Sequence, residues 1–169
     1  RCRRERRERR NRPGARRAPA SAPPLYTHRV VNVLPHDPTA FTQGLIYQDG
    51  IFYEGTGLRG QSTLRRVEPA TGEVLAGIRL PDQYFGEGIV VLGDRLYQLT
   101  WQENTGFIYD KDSFDLLGTW RYEGEGWGLA TDGQRLIMSD GSNTLYFRDP
   151  VTFKETGRVQ VFDGARPVT

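Results

Sequence analysis

The sequence predicts an all-β protein built from repeated four-stranded sheets, the architecture of a β-propeller. Three observations predict it. From Leu25 onward, short apolar runs alternate with Gly/Asp turns; no stretch carries a sustained helical period; and one layout returns about every 40 residues. The anchoring glycines Gly44, Gly88 and Gly128 lie 44 and 40 residues apart, and the acids that close the third strand of each unit, Glu68, Asp110 and Asp149, lie 42 and 39 apart. A single four-stranded sheet cannot cover both of its faces, so such units stack radially around an axis. A β-sandwich, the competing all-β arrangement, requires no such period.

Taken in order, residues 1–24 form a low-complexity Arg/Pro/Ala tail that cannot bury apolar surface and is expected to be disordered. Residues 1–20 carry ten Arg and two Glu, net +8, and the rest of the chain carries 13 basic and 19 acidic side chains, net −6. The body, residues 25–169, is therefore mildly acidic, which argues against a nucleic-acid surface. Cys2 is the only cysteine, so no internal disulfide forms. No apolar run is long enough to span a membrane, and no hydrophobic leader segment is visible.

Arg29–Val33 reads as a strand that precedes the first unit and contributes to ring closure. In the first unit, Leu45–Tyr47 and Ile51–Tyr53 flank the Asp49-Gly50 turn, a third strand ends near Glu68-Pro69, and the last begins at Glu73. The second unit repeats this with the Gly93-Asp94 turn, Arg95–Leu99, a third strand ending near Asp110 and a last strand over Phe114–Leu117. The third has the Asp132-Gly133 turn, Arg135–Met138, a third strand ending near Asp149 and a last strand over Arg158–Val161. Arg166–Thr169 reads as the lead-in to another unit. That makes about three blades. Closure takes four to eight, so the sequence is expected to be part of a longer propeller.

In a propeller the first strand of each blade lines the central channel, and side chains two apart share a face. Phe41 then pairs with Gln43, Phe85 with Glu87, and Glu125 with Trp127. The channel mouth would receive an amide, a carboxylate and an indole, with phenylalanine rings around them and Trp101, just past the second strand of its blade, within reach. A carboxylate in an aromatic cup has a raised pKa and suits proton transfer near neutral pH. Spacing alone leaves two readings of Glu87 open: this one, or a solvated Glu in a tight Gly-Glu-Gly bend. Glu125 is the second candidate acid/base, against a solvated acidic edge shared with Glu123. Gly124–Gly128 loosely resembles a phosphate-cradling loop, but no helix follows it. His28 and His36 do not make a zinc site, Asp140 and Asp149 read as turn formers rather than calcium ligands, and Ser62, Ser139 and Ser142 have no apparent histidine partner.

Five stretches, taken together and in this order, resemble one family: Phe41-Thr42-Gln43-Gly44-Leu45, Tyr84-Phe85-Gly86-Glu87-Gly88, Leu99-Thr100-Trp101-Gln102, Gly126–Gly133 and Ser139-Asp140-Gly141-Ser142. Over about residues 27–169 the chain is similar to the plant-type and bacterial glutaminyl-peptide cyclotransferases. The resemblance implies a five-bladed propeller that converts an N-terminal glutamine of a peptide or protein to pyroglutamate with release of ammonia. It implies Glu87 as general acid/base, with Gln43, Trp101 and Trp127 binding and polarising the substrate and Phe41 and Phe85 as the apolar wall. It also implies no cofactor, no catalytic zinc, a monomer when complete, and export from the cytoplasm. Further channel residues of the family (an Asn, another Trp and a Lys) belong to two blades beyond residue 169. The alternatives are a propeller that binds peptides or proteins without chemistry, for which Glu87 is dispensable, and an inactive fragment.

Overall fold

The computed structural model describes residues 24–169, all in strands, turns and extended segments. The expectation of a disordered tail falls on residues that lie, apart from Pro24, outside the described ones. Three antiparallel four-stranded sheets follow one another along the chain, each with its strands in consecutive order. The first is β1 (Thr42–Gln48), β2 (Ile51–Thr56), β3 (Thr63–Val67) and β4 (Val74–Arg79); the second is β5 (Gly86–Leu92), β6 (Arg95–Thr100), β7 (Thr105–Asp110) and β8 (Leu116–Arg121). The third is β9 (Leu129–Thr131), β10 (Leu136–Ser139), β11 (Thr144–Arg148) and β12 (Glu155–Gln160). A short hairpin of β13 (Phe162–Asp163) and β14 (Arg166–Pro167) ends the chain. The sheets are propeller blades, and their inner strands β1, β5 and β9 pack side by side.

The core lies between blades, in two layers. Tyr53, Leu64, Ile89, Val91, Leu96, Phe107 and Tyr109 fill the space between the first and second blades. Val90, Tyr97, Leu99, Ile108, Trp120, Leu136 and Met138 fill that between the second and third. Neighbouring residues of β5, β6 and β7 thus go alternately to the two layers, as the period-2 geometry of a strand requires. A sheet buried on both faces is apolar throughout its length, which is why Gly88–Leu92 and Leu96–Leu99 read as near-continuous runs.

Two expectations are corrected. Arg29–Val33 belongs to no strand, and Val30, Val31 and Val33 are 69%, 85% and 82% exposed. A β-branched run becomes a strand only with a ladder partner, and none lies beside this one among the described residues. Phe114 does not open β8: its φ is +61°, and it sits in the preceding turn with its ring in the first core layer. No helix among the described residues is long and apolar enough to cross a membrane.

Candidate active site

The candidate site is made by irregularities at the inner ends of the blades. In β1 the ladder slips between Thr42 and Gly44, and in β5 it slips between Gly86 and Ile89. Gln43 and Glu87 therefore occupy equivalent bulges, each immediately before its anchoring glycine. A bulge leaves a residue unpaired and re-aims its side chain. In the third blade the equivalent stretch stays out of the sheet, and Trp127 precedes β9 by two residues.

The backbone locks these segments together. Gly88 N donates to Trp127 O (2.8 Å), Trp101 N to Phe85 O (3.0 Å) and Gly126 N to Trp101 O (2.8 Å). Gly88 has no alternative: a Cβ there would stand 2.4 Å from Trp127 O and 2.6 Å from Leu129 N. Gly141, at φ +81°, forms the floor under the Trp127 indole, where a Cβ would lie 2.8 Å from the ring.

Phe41, Gln43, Phe85, Glu87, Trp101 and Trp127 line one open cavity of about 300 Å³. The six side chains that the resemblance implies for catalysis and substrate binding meet there, although they come from three blades. Phe41 packs edge-on to Phe85, with centroids 6.2 Å apart, and Phe85 packs edge-on to Trp101 at 5.6 Å. Gln43 Nε2 donates a long hydrogen bond of 3.4 Å to Glu87 Oε1.

Burial among these rings, and after it the negative charges of Glu125 and Glu103, together push the Glu87 carboxyl up to about 7. Both protonation states are then populated at neutral pH. The solvated-bend reading of Gly86-Glu87-Gly88 does not describe this environment, because Gly86 and Gly88 are buried and Glu87 is half-buried.

Glu125 does not line the cavity. Its Oε2 accepts from both indoles, Trp101 Nε1 at 2.8 Å and Trp127 Nε1 at 2.9 Å, and its Oε1 accepts from Gln102 Nε2 at 3.1 Å. The hydrogen bonds from Trp127, Gln102 and Trp101 hold its carboxyl below the usual range, so it is poorly suited to carry protons near neutral pH. The i, i+2 spacing to Trp127 was visible in the sequence, but the Trp101 contact, 24 residues away, comes only with the fold. Sequence reasoning also missed Glu103. Its Oε1 pairs with Arg59 (2.7 Å) and its Oε2 accepts from Phe85 N (3.3 Å), which brings a second negative charge near Glu87.

Comparison with known proteins agrees with the fold and with the family that the motifs resemble. Residues 9–169 match the family model described as glutamine cyclotransferase. The chain is 47% identical over 131 residues to the glutaminyl-peptide cyclotransferase of Arabidopsis thaliana, covering 76% of this chain and 41% of that protein. It superposes on the crystal structure of Myxococcus xanthus glutaminyl cyclase with a TM-score of 0.76 at 39% identity, over 83% of this chain and 59% of that one. At 11% identity and a TM-score of 0.59, the WD40 repeats of RRP9 share the fold alone. The chain thus spans between two fifths and three fifths of the length of these two similar cyclases. Repeat period, blade architecture and the order of the motifs converge, and the chain belongs to the glutamine cyclotransferase family.

Proposed function

We propose that the protein carrying this chain is a glutaminyl-peptide cyclotransferase, and that the six-residue cavity is its part of the active site. One observation carries the reading: a carboxylate with a proton affinity near neutrality stands beside an amide, inside an aromatic wall large enough for a small side chain. An N-terminal glutamine cyclises when the lone pair of its neutral α-amine attacks the side-chain amide carbon. The new N–C bond forms, the carbonyl oxygen takes negative charge, and the old C–N bond then breaks. Glu87 in its carboxylate form takes the proton from the attacking nitrogen and returns it to the leaving one, so ammonia departs and no net proton is gained or lost.

The ring closure is intramolecular, so walls that hold the glutamine folded remove much of the entropic barrier. Phe41, Phe85 and the faces of Trp101 and Trp127 provide those walls. Both indole N–H groups donate to Glu125, which leaves Gln43 Nε2, with its long contact to Glu87, as the donor free to turn toward the developing oxyanion. The substrate class that suits this chemistry is a peptide or protein beginning with glutamine.

The test is ammonia release from a Gln-initiated dipeptide by the full-length protein and its Glu87→Gln variant. Glu87→Gln keeps the shape and removes the proton carrier. The expected outcome is a loss of kcat of about 10²–10⁴-fold with KM little changed. Equal rates in the two proteins would remove Glu87 from the mechanism. A dipeptide that binds but is never converted by the wild type would identify a peptide-binding propeller instead.

A further inference from the structure

We infer that Glu125 is a positioning residue, a fixed negative charge that clamps the two indole walls and sets the electrostatic background in which the cavity carboxylate works. The inference deepens the cyclotransferase reading and rests on it for the meaning of the cavity, but the clamp itself stands on geometry.

Trp101 follows β6 in the second blade and Trp127 precedes β9 in the third. An indole has a single N–H and no acceptor. When that N–H is engaged, the plane of the ring is set by its partner. Both indoles here point their N–H at one oxygen, Glu125 Oε2, at 2.8 and 2.9 Å. Charge-assisted bonds of this length are stronger than neutral ones, and one acceptor shared by two rings couples their orientations across the blade boundary.

The clamp is itself braced. Gln102 Nε2 donates to Glu125 Oε1, and Gln102 Oε1 accepts from Arg59 Nη2 at 3.3 Å. The Arg59 guanidinium lies 5.7 Å from the Trp101 ring centroid and also pairs with Glu103. A rim residue of the first blade thereby holds the clamp of the second and third. Glu125 contributes no cavity wall, yet each of its polar contacts ends on a wall residue or on the brace.

The charge acts over a longer range than the hydrogen bonds. The charged and titratable groups around Glu87 are Glu103 on the loop after β6, Arg59 on the loop after β2, Tyr122 after β8, and Glu125, with Asp140 beyond it after β10. Glu103 is paired with Arg59, whereas Glu125 has only neutral donors. Its negative charge is therefore the less compensated of the two acidic neighbours. Removing it makes ionisation of Glu87 easier.

Two variants separate the two roles. Glu125→Ala removes both the acceptor and the charge; Glu125→Gln keeps an acceptor oxygen and removes the charge. In the full-length protein, the indole ¹⁵N–¹H resonances of Trp101 and Trp127 report the clamp, and the ¹³C carboxyl titration of Glu87 reports the charge, whether or not the protein turns over. The expected result is that both indole resonances move in Glu125→Ala, that the Glu87 midpoint falls in both variants, and that the acid limb of kcat/KM moves with it to lower pH. KM is expected to rise more in Glu125→Ala than in Glu125→Gln. Indole resonances unchanged in Glu125→Ala, or a Glu87 midpoint unchanged in both variants, would overturn the inference. A wild type that binds the dipeptide without releasing ammonia would sink the cyclotransferase reading alone, since both resonance measurements still decide the role of Glu125.

Discussion

Glu87 combines a bulge that aims it, rings that desolvate it and two acidic neighbours that oppose its ionisation. These effects have the same sign, and their consequence for pH is definite. A general base must be ionised to accept a proton, so kcat/KM should decline as pH falls through about 7, where Glu87 becomes protonated. An acid limb near the ordinary carboxylate range instead would show that Glu87 is not the titrating base. The stability effect follows from the same shift. The folded state favours the protonated form, so the fold loses stability as pH rises from the ordinary carboxylate range through about 7, and the loss is complete above that. Glu87→Gln should flatten this part of the stability curve, and chemical unfolding at pH 5 and pH 8 would measure it.

At the scale of the strand pair, the first blade contains a charge that its apolar surroundings do not suggest. Glu54 on β2 is 1% exposed and stands directly across the ladder from Arg65 on β3, whose Nη2 and Nε bond its Oε2 at 2.8 and 3.1 Å. Burial pushes the Glu54 carboxyl up, but hydrogen bonds from Thr42 and His36 and the Arg65 charge outweigh it and hold the group below its usual range. Breaking a pair of this kind leaves Arg65, itself only 12% exposed, with Asp37 alone. Glu54→Ala should therefore cost about 3–5 kcal/mol. Urea unfolding measures this, and a loss below about 1 kcal/mol would mean that the pair behaves like a surface one. This network was not legible in the sequence, because a Glu between Tyr53 and Gly55 looks like any outward position of a strand. The strands themselves were legible: alternation, Gly/Asp turns and the repeat marked twelve of them. What misled was Arg29–Val33, where the local signal is as strong as in β1 but pairing depends on a partner the residues do not name. At the site, the residue types were readable from the repeat. The bulges that present Gln43 and Glu87, and the carboxylate behind the indoles, were not, because they depend on contacts between blades.

For the whole molecule, radial stacking makes stability a matter of neighbours. Each blade buries its faces only against the blades beside it, and the second blade contributes to both core layers, one shared with the first blade and one with the third. Leu96 and Leu136 are fully buried and belong to different layers, Leu96 between blades one and two and Leu136 between blades two and three. Truncating either to Ala should cost about 2–5 kcal/mol, and the two losses should fall in different places. Leu136→Ala should speed amide exchange in β10 and β11 while leaving β2 and β3 close to wild type; Leu96→Ala should do the reverse. Without substitution, exchange should be slow in β6 and β7, whose side chains are almost all buried, and faster in the outer strands β4, β8 and β12, whose side chains are largely exposed. Uniform acceleration across all three blades by either substitution would show one cooperative unit in place of coupled blades. The distinction bears on the active site as well. Gln43, Glu87 and Trp127 each come from a different blade, so a cavity assembled across two weakly coupled interfaces would loosen before the molecule unfolds, and ammonia release in Leu136→Ala would then fall at temperatures where β2 and β3 are still protected.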